Sequence, residues 1–280
     1  MKTLIIFISL VFLTTLSGCE QAFLDLHDGH GKKKYLVDFR FGGYNHTVGE
    51  PNTGFQTEPL KNYVSQLSVI VYSMETGNEV ARQTHLFTQS NFGDIEFELP
   101  KGNYRFVAAS SQTPFGINQF RLQDTLSAVM LPYQEANMQY WQKSHSEANR
   151  TYQTTDTFLA QVDANIASDK TLDIIMQRII GKLEVRISDL TDYQVEIYLE
   201  QTAVMFASGS TFGRVQNYTF PRSSNLDGPI DILLLNTSRP VLVQLLGAGT
   251  PREVYVPIHK NQITVLEGKM VTQEFNISVK

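Results

Sequence analysis

The sequence predicts an all-β protein made of antiparallel sandwich sheets. Two observations carry the prediction. Apolar and polar residues alternate with a period of two in successive short runs, and Gly, Pro and Asn gather in turns between those runs. The runs begin at Tyr35; what precedes them is of another kind.

The first residues read as an export signal. Lys2 supplies a positive start, Leu4 to Leu16 form an apolar stretch, and Leu16-Ser17-Gly18-Cys19 closes it. A basic start, an apolar run of roughly 7–15 residues and small residues at the cut mark a secretory signal peptide. The stretch is too short for a spanning helix, which needs roughly 20 apolar residues. The small pair Ser17-Gly18 followed by Cys19 matches a lipobox, in which the Cys thiol carries diacylglycerol after cleavage. An ordinary cleaved signal is the alternative. Cys19 is the only Cys in the chain, and an odd Cys in an exported protein calls for modification or pairing with another chain. Lipidation meets that need. It also leaves the folded part without a disulfide, a Cys-based zinc site or a Cys nucleophile. Two or three acyl chains make a stable anchor where one does not, and Glu20 is compatible with sorting to the outer membrane.

The formal net charge of −5, with no large basic block, argues against nucleic-acid binding. No second stretch is long and apolar enough to span a bilayer. Residues 19–34 are short, polar and Gly-containing, and read as a lipidated tether. Asp25, His27, Asp28 and His30 sit at spacings that suit a cation, but loose ligands must first be ordered, so a solvated tether is the simpler reading.

Along the β-rich part, Tyr35, Val37, Phe39 and Phe41 alternate with Leu36, Asp38 and Arg40. Leu67, Val69 and Val71 follow, up to a turn at Glu75-Thr76-Gly77-Asn78, then Val80 to Phe87. Ile95, Phe97 and Leu99 alternate with Asp94, Glu96 and Glu98; Pro100-Lys101-Gly102-Asn103 turns the chain into Tyr104 to Ala109. Residues 111–165 break the rhythm and read as a long excursion with one short helix; loops of that length are usually functional or mobile. Strands resume at Thr157 to Val162 and at Leu172, Ile174 and Met176. Leu183, Val185 and Ile187 continue almost end to end with them across Gly181, which suggests one β segment that closes one sandwich and opens the next. A domain boundary is expected near residue 178. Beyond it come Val195/Ile197/Leu199, Ala203 to Ala207, Arg214 to Phe220, Ile230 to Leu235, Val241 to Leu246, Val254 to Ile258 and Gln262 to Leu266. A turn at Glu267-Gly268-Lys269 then leads to Met270 to Val279.

Catalytic patterns are missing: no G-x-S-x-G, no H-E-x-x-H, no P-loop. Gly247-Ala248-Gly249 follows a strand but precedes another strand, so no helix N-terminus is there to hold phosphate. Glu96 and Glu98 share a strand face, which could pair two carboxylates for acid–base work, but that face is opposite Ile95, Phe97 and Leu99 and is the wet side. No enzyme activity, cofactor or metal is expected. Tyr133, Tyr140 and Trp141 allow two readings, a platform for sugar rings or aromatics that pack the excursion onto the sandwich; packing fits the usual burial of Tyr and Trp better.

In this order the segments Cys19 in its lipobox, Tyr35 to Phe41, Leu67 to Val80, Glu98 to Ser110, Met176 to Ile187 and Asn261 to Val279 resemble the fimbrillin superfamily of Bacteroidota fimbriae, in particular its FimB/Mfa2-type lipoprotein anchor subunits. The resemblance covers most of the mature chain, but not residues 111–165. It implies two tandem transthyretin-like antiparallel β-sandwich domains, at 35–178 and 179–280, after a signal peptide at 1–18. It also implies assembly by strand addition, in which backbone hydrogen bonds give affinity and alternate side chains give register. In such fimbriae, shaft subunits lose lipid and first strand to an Arg-specific protease, whereas anchors keep both. Residues 42–60 contain no Arg and no Lys, and Arg40 lies inside a strand pattern, which favours an uncleaved anchor. Its expected partners are other fimbrial subunits, the membrane through Cys19, and a host or bacterial surface ligand, at the base of a fimbrium on the cell outer membrane. A shaft or tip subunit, or a surface glycan-binding lipoprotein using Tyr140 and Trp141, are the alternatives.

Overall fold

β-Branched and aromatic residues at alternating positions favour extended chain, because their side chains pack well on a pleated surface. The computed structural model bears this out throughout its described residues: 33–55, 58–122, 125–128, 130–140, 154–222, 228–247 and 249–280. In chain order the strands are β1 (Lys34–Gly42), β2 (Gln66–Ser73), β3 (Glu79–Leu86), β4 (Glu96–Pro100), β5 (Gly102–Ser111), β6 (Phe115–Ile117), β7 (Gln119–Leu122), β8 (Thr125–Ala128), β9 (Asn137–Tyr140) and β10 (Thr157–Ile166). They continue with β11 (Lys170–Ile175), β12 (Gln177–Arg178), β13 (Gly181–Ile187), β14 (Tyr193–Met205), β15 (Thr211–Arg222), β16 (Ile230–Leu234), β17 (Val241–Leu246), β18 (Arg252–Val256), β19 (Ile263–Lys269) and β20 (Glu274–Val279). Among the described residues the helical content is one 3-10 turn at Leu60–Asn62.

Four sheets carry the fold. A three-stranded sheet of order β11-β1-β4 faces a five-stranded sheet of order β12-β10-β5-β2-β3, and a four-stranded sheet of order β16-β13-β19-β20 faces a six-stranded one of order β18-β17-β14-β9-β6. β15 pairs with β14 off that path, and β7 and β8 form a separate hairpin. Val37, Phe39, Leu67, Val69, Phe97, Phe106 and Phe158 pack between the first two sheets. Leu183, Val195, Ile197, Val243 and Leu266 pack between the other two.

A third core joins these layers. Ile70, Tyr72, Val107 and Ala109, on the opposite face of the five-stranded sheet, pack against Phe115, Ile117, Met138, Tyr140 and Phe206. β2 and β5 are therefore covered on both faces. This corrects the reading of 111–165 as an excursion from the sandwich: its described residues contain the strands β6 to β9 and most of β10, and residues 141–153 lie outside the described residues. β6 and β9 extend the sheet of β14: β9 pairs with Ala203–Met205, and β6 pairs with β9. The rhythm is lost in the sequence because these strands are only three and four residues long.

Two further expectations are corrected. Val195/Ile197/Leu199 and Ala203 to Ala207 belong largely to one strand, β14, bulged against β15 between Ile197 and Glu200 and between Gln201 and Ala203. The polar Glu200-Gln201-Thr202 reads as a break, yet all three are buried. Glu200 is satisfied there: its carboxylate accepts from the backbone N–H of Leu235 at 2.6 Å and of Asn236 at 3.3 Å, and from Thr154 Oγ1 at 3.3 Å. Burial pushes its carboxyl up to about 7, against the opposing pull of those donors. The turn expected at Glu267-Gly268-Lys269 is instead the end of β19, and the chain reverses over 270–273. The Asp189 carboxylate holds that reversal by accepting from the N–H groups of Met270 (2.9 Å) and Val271 (2.8 Å).

Candidate assembly site around the first strand

β1 is the middle strand of its sheet. Along one side Val37 to Gly42 run parallel to Lys170 to Ile175 of β11; along the other Lys34 to Asp38 run antiparallel to Pro100 to Glu96 of β4. Its alternation is the reason it sits there. Val37 is fully buried and Phe39 nearly so. The Phe39 ring meets Phe97 edge-on at 5.9 Å and Phe106 at 5.5 Å, and stacks with Phe41 at 6.0 Å. Burying a side chain of this size contributes about 1.5–3 kcal/mol.

The polar face of β1 is tied down as well. Arg40 makes a bidentate pair with Asp173 of β11, both bonds 2.7 Å. Both groups are largely exposed, so water and salt screen the pair and it orients the strand more than it stabilises it. The Leu36 N–H donates to Asp169 Oδ1 at 2.9 Å. Arg40 thus lies within a hydrogen-bonded strand, as its sequence context suggests.

The chain leaving β1 is gripped more firmly. Gly43 has φ +83°, and a Cβ there would collide with the Met176 carbonyl oxygen, so only glycine serves. Beyond it, loop 44–52 wraps around Arg178 of β12, whose side chain is wholly buried. Its Nε and Nη2 donate to Asp156 Oδ1 (2.5 Å) and Oδ2 (2.9 Å). Nη2 also donates to the Asn45 carbonyl oxygen at 2.7 Å. Nη1 donates to Asn45 Oδ1 (2.6 Å), the Thr47 carbonyl oxygen (2.8 Å) and Asn261 Oδ1 (3.0 Å). The guanidinium lies over the Phe158 ring, 5.0 Å from its centroid. Asn261, between β18 and β19, adds a bond from its Nδ2 to the Glu50 carbonyl oxygen at 2.7 Å and accepts from the Gly49 N–H at 3.2 Å. Asn52 Oδ1 accepts from the Arg178 backbone N–H at 3.3 Å. One buried cation therefore joins the loop after β1, the segment before β10 and the loop before β19.

Sequence reasoning did not single out Arg178. The signal available was a charged residue inside the apolar run Ile174-Ile175-Met176-Gln177-Arg178-Ile179-Ile180; a buried charge in such a run needs a built set of partners. Cys19 and Trp141 lie outside the described residues. Tyr140 is buried, its hydroxyl bonded to Thr157 Oγ1 and, at 3.1 Å, to Ser111 Oγ. It presents no ring face to solvent, so the sugar-platform reading does not hold for it: the hydroxyl found partners inside the core. Tyr133 likewise packs on Tyr72 and donates to Gln161 Oε1 at 2.5 Å. Among the described residues no group of three or more His, Cys, Asp or Glu is placed to hold a metal ion.

Residues 33–239 match the family of fimbrillin-A associated anchor proteins Mfa1 and Mfa2. The chain belongs to this family. No curated protein matches it in sequence. Among solved structures, the fimbrial anchor protein Mfa2 from Porphyromonas gingivalis superposes with a TM-score of 0.55 at 12% identity, over 88% of this chain and 97% of that one. A candidate polysaccharide-binding protein from Bacteroides thetaiotaomicron gives 0.56 at 13% identity, over 88% and 95%. A candidate adhesin from the same species gives 0.54 at 12%, over 90% and 98%. At such identities the likeness is one of fold. The family gives the chain a structural role in association with fimbrial subunits at the cell surface.

Proposed function

We propose that this chain anchors or helps assemble a fimbrium at the outer membrane, held by lipid on Cys19 and joined to a partner subunit by β-strand addition. The observation that carries the reading is the seating of β1: both its edges are occupied, its apolar face is in the core, and its exit is clamped by Arg178. A subunit built this way keeps its first strand and accepts no donor strand in its place. The absence of Arg and Lys from 42–60 supports the same reading.

The mature chain is then a tether at 19–34, an N-terminal sandwich at 35–178 and a C-terminal sandwich at 179–280, with β6 and β9 crossing over to the second. The C-terminal half meets the fimbrial base. β16 and β20 end its four-stranded sheet, and an edge strand offers the unpaired N–H and C=O groups that strand addition uses.

Replacing Cys19 by Ala in the native bacterium tests the anchoring step. The expected result is a chain lost from the membrane fraction and fimbriae shed into the medium. Fimbriae that stay attached to cells carrying C19A would sink the reading.

A further inference from the structure

A pocket of about 200 Å³ opens where the loop after β1 meets the connection from β3 to β4. Its size falls below the roughly 300–1,000 Å³ of sites for drug-sized ligands and suits one side chain rather than a sugar chain. Aromatic rings line it, among them Phe41, Tyr44, Tyr63 and Phe92, together with the carboxylates of Glu58 and Asp94. Neither Lys nor Arg is among the lining residues.

The hydrogen-bonding capacity left open in the pocket is chiefly that of acceptors. Tyr44 has its hydroxyl bonded to Ser110 Oγ at 2.9 Å. Tyr63 is more than nine-tenths buried, and its ring is fixed by stacking on His46 at 4.5 Å. Its hydroxyl has no hydrogen-bond partner among the described residues. Glu58 Oε2 accepts from Asn62 Nδ2 at 3.2 Å and lies 4.0 Å from His46 Nε2, whereas Oε1 has no such neighbour among the described residues. Nor does the Asp94 carboxylate. Carboxylates only accept, and ammonium and guanidinium groups only donate. Aromatic faces attract the same cations.

We infer that this pocket receives a Lys or Arg side chain from a protein partner. The inference stands apart from the anchoring reading and survives its failure.

Saturation-transfer NMR on the full chain in detergent tests it, with N-acetyl-arginine methylamide and N-acetyl-lysine methylamide as probes and N-acetyl-citrulline methylamide as the neutral isostere of the first. At least one charged probe should bind, and citrulline about tenfold more weakly than arginine, since charge-assisted contacts are the stronger ones. The double variant E58Q/D94N should lose about tenfold in affinity and E58Q alone part of that, with unchanged melting temperatures. E98Q, at an exposed site outside the pocket, should bind like the parent, which separates the pocket from overall negative charge. Equal binding of citrulline and arginine, undiminished binding by a folded E58Q/D94N chain, an equal loss in E98Q, or no binding of either charged probe would each overturn it.

Discussion

A chain that begins at Gly43 is expected to lose the cooperative folding of its N-terminal half and to regain it when a peptide of residues 34–42 is added. Val37 and Phe39 are buried and Tyr35 and Phe41 pack against the same core. At about 1.5–3 kcal/mol for each fully buried side chain, their loss approaches the whole stability of a typical domain, about 5–15 kcal/mol. The backbone cost adds to this, because β11 and β4 would both lose their ladder with β1. Denaturant unfolding followed by circular dichroism, with and without the peptide, checks the expectation. A truncated chain that unfolds at the parent's midpoint would mean that β1 is an accessory strand.

Arg178→Ala is expected to cost about 3–5 kcal/mol, the range for removing one partner of a buried ion pair. The loss is large because Asp156, Asn45, Thr47 and Asn261 all accept from the same guanidinium. Arg178→Lys should recover only part of it, since an ammonium lacks the planar fork that meets Asp156 with two bonds. Native-state hydrogen exchange should show loop 44–52 opening first in both variants. A shift below about 1 kcal/mol, the scale of an exposed pair, would show that the clamp contributes little.

Much of this fold was legible in the sequence. β1, β4 and β13 follow the period-two pattern because each has one face on a core and one toward polar surroundings, and Asp38, Glu96 and Arg186 mark the second face. The pattern says less where both faces are covered. Leu67 to Tyr72 is nearly continuous in apolar residues, which identifies a strand but not the third core on its far side. The strands β6 and β9 leave no period in the sequence because three or four residues are too few to show one. The sequence pattern splits β14 in two because Glu200, Gln201 and Thr202 look like a surface break, and only the tertiary fold supplies the N–H groups that satisfy Glu200. The same holds at the site. The strand that matters could be read from alternation alone, but the residue that locks its exit could not, because Arg178 draws its partners from positions as far apart in sequence as Asn45 and Asn261.

The mass of the mature protein taken from native membranes tests the central claim most directly. A chain that starts at acylated Cys19, with residues 20–42 intact, is the predicted result; it means that the seated β1 is the chain's own and that lipid holds the subunit. A chain without lipid that starts beyond residue 42 would contradict it, and would mean that β1 is removed during assembly to open a groove for another subunit's strand.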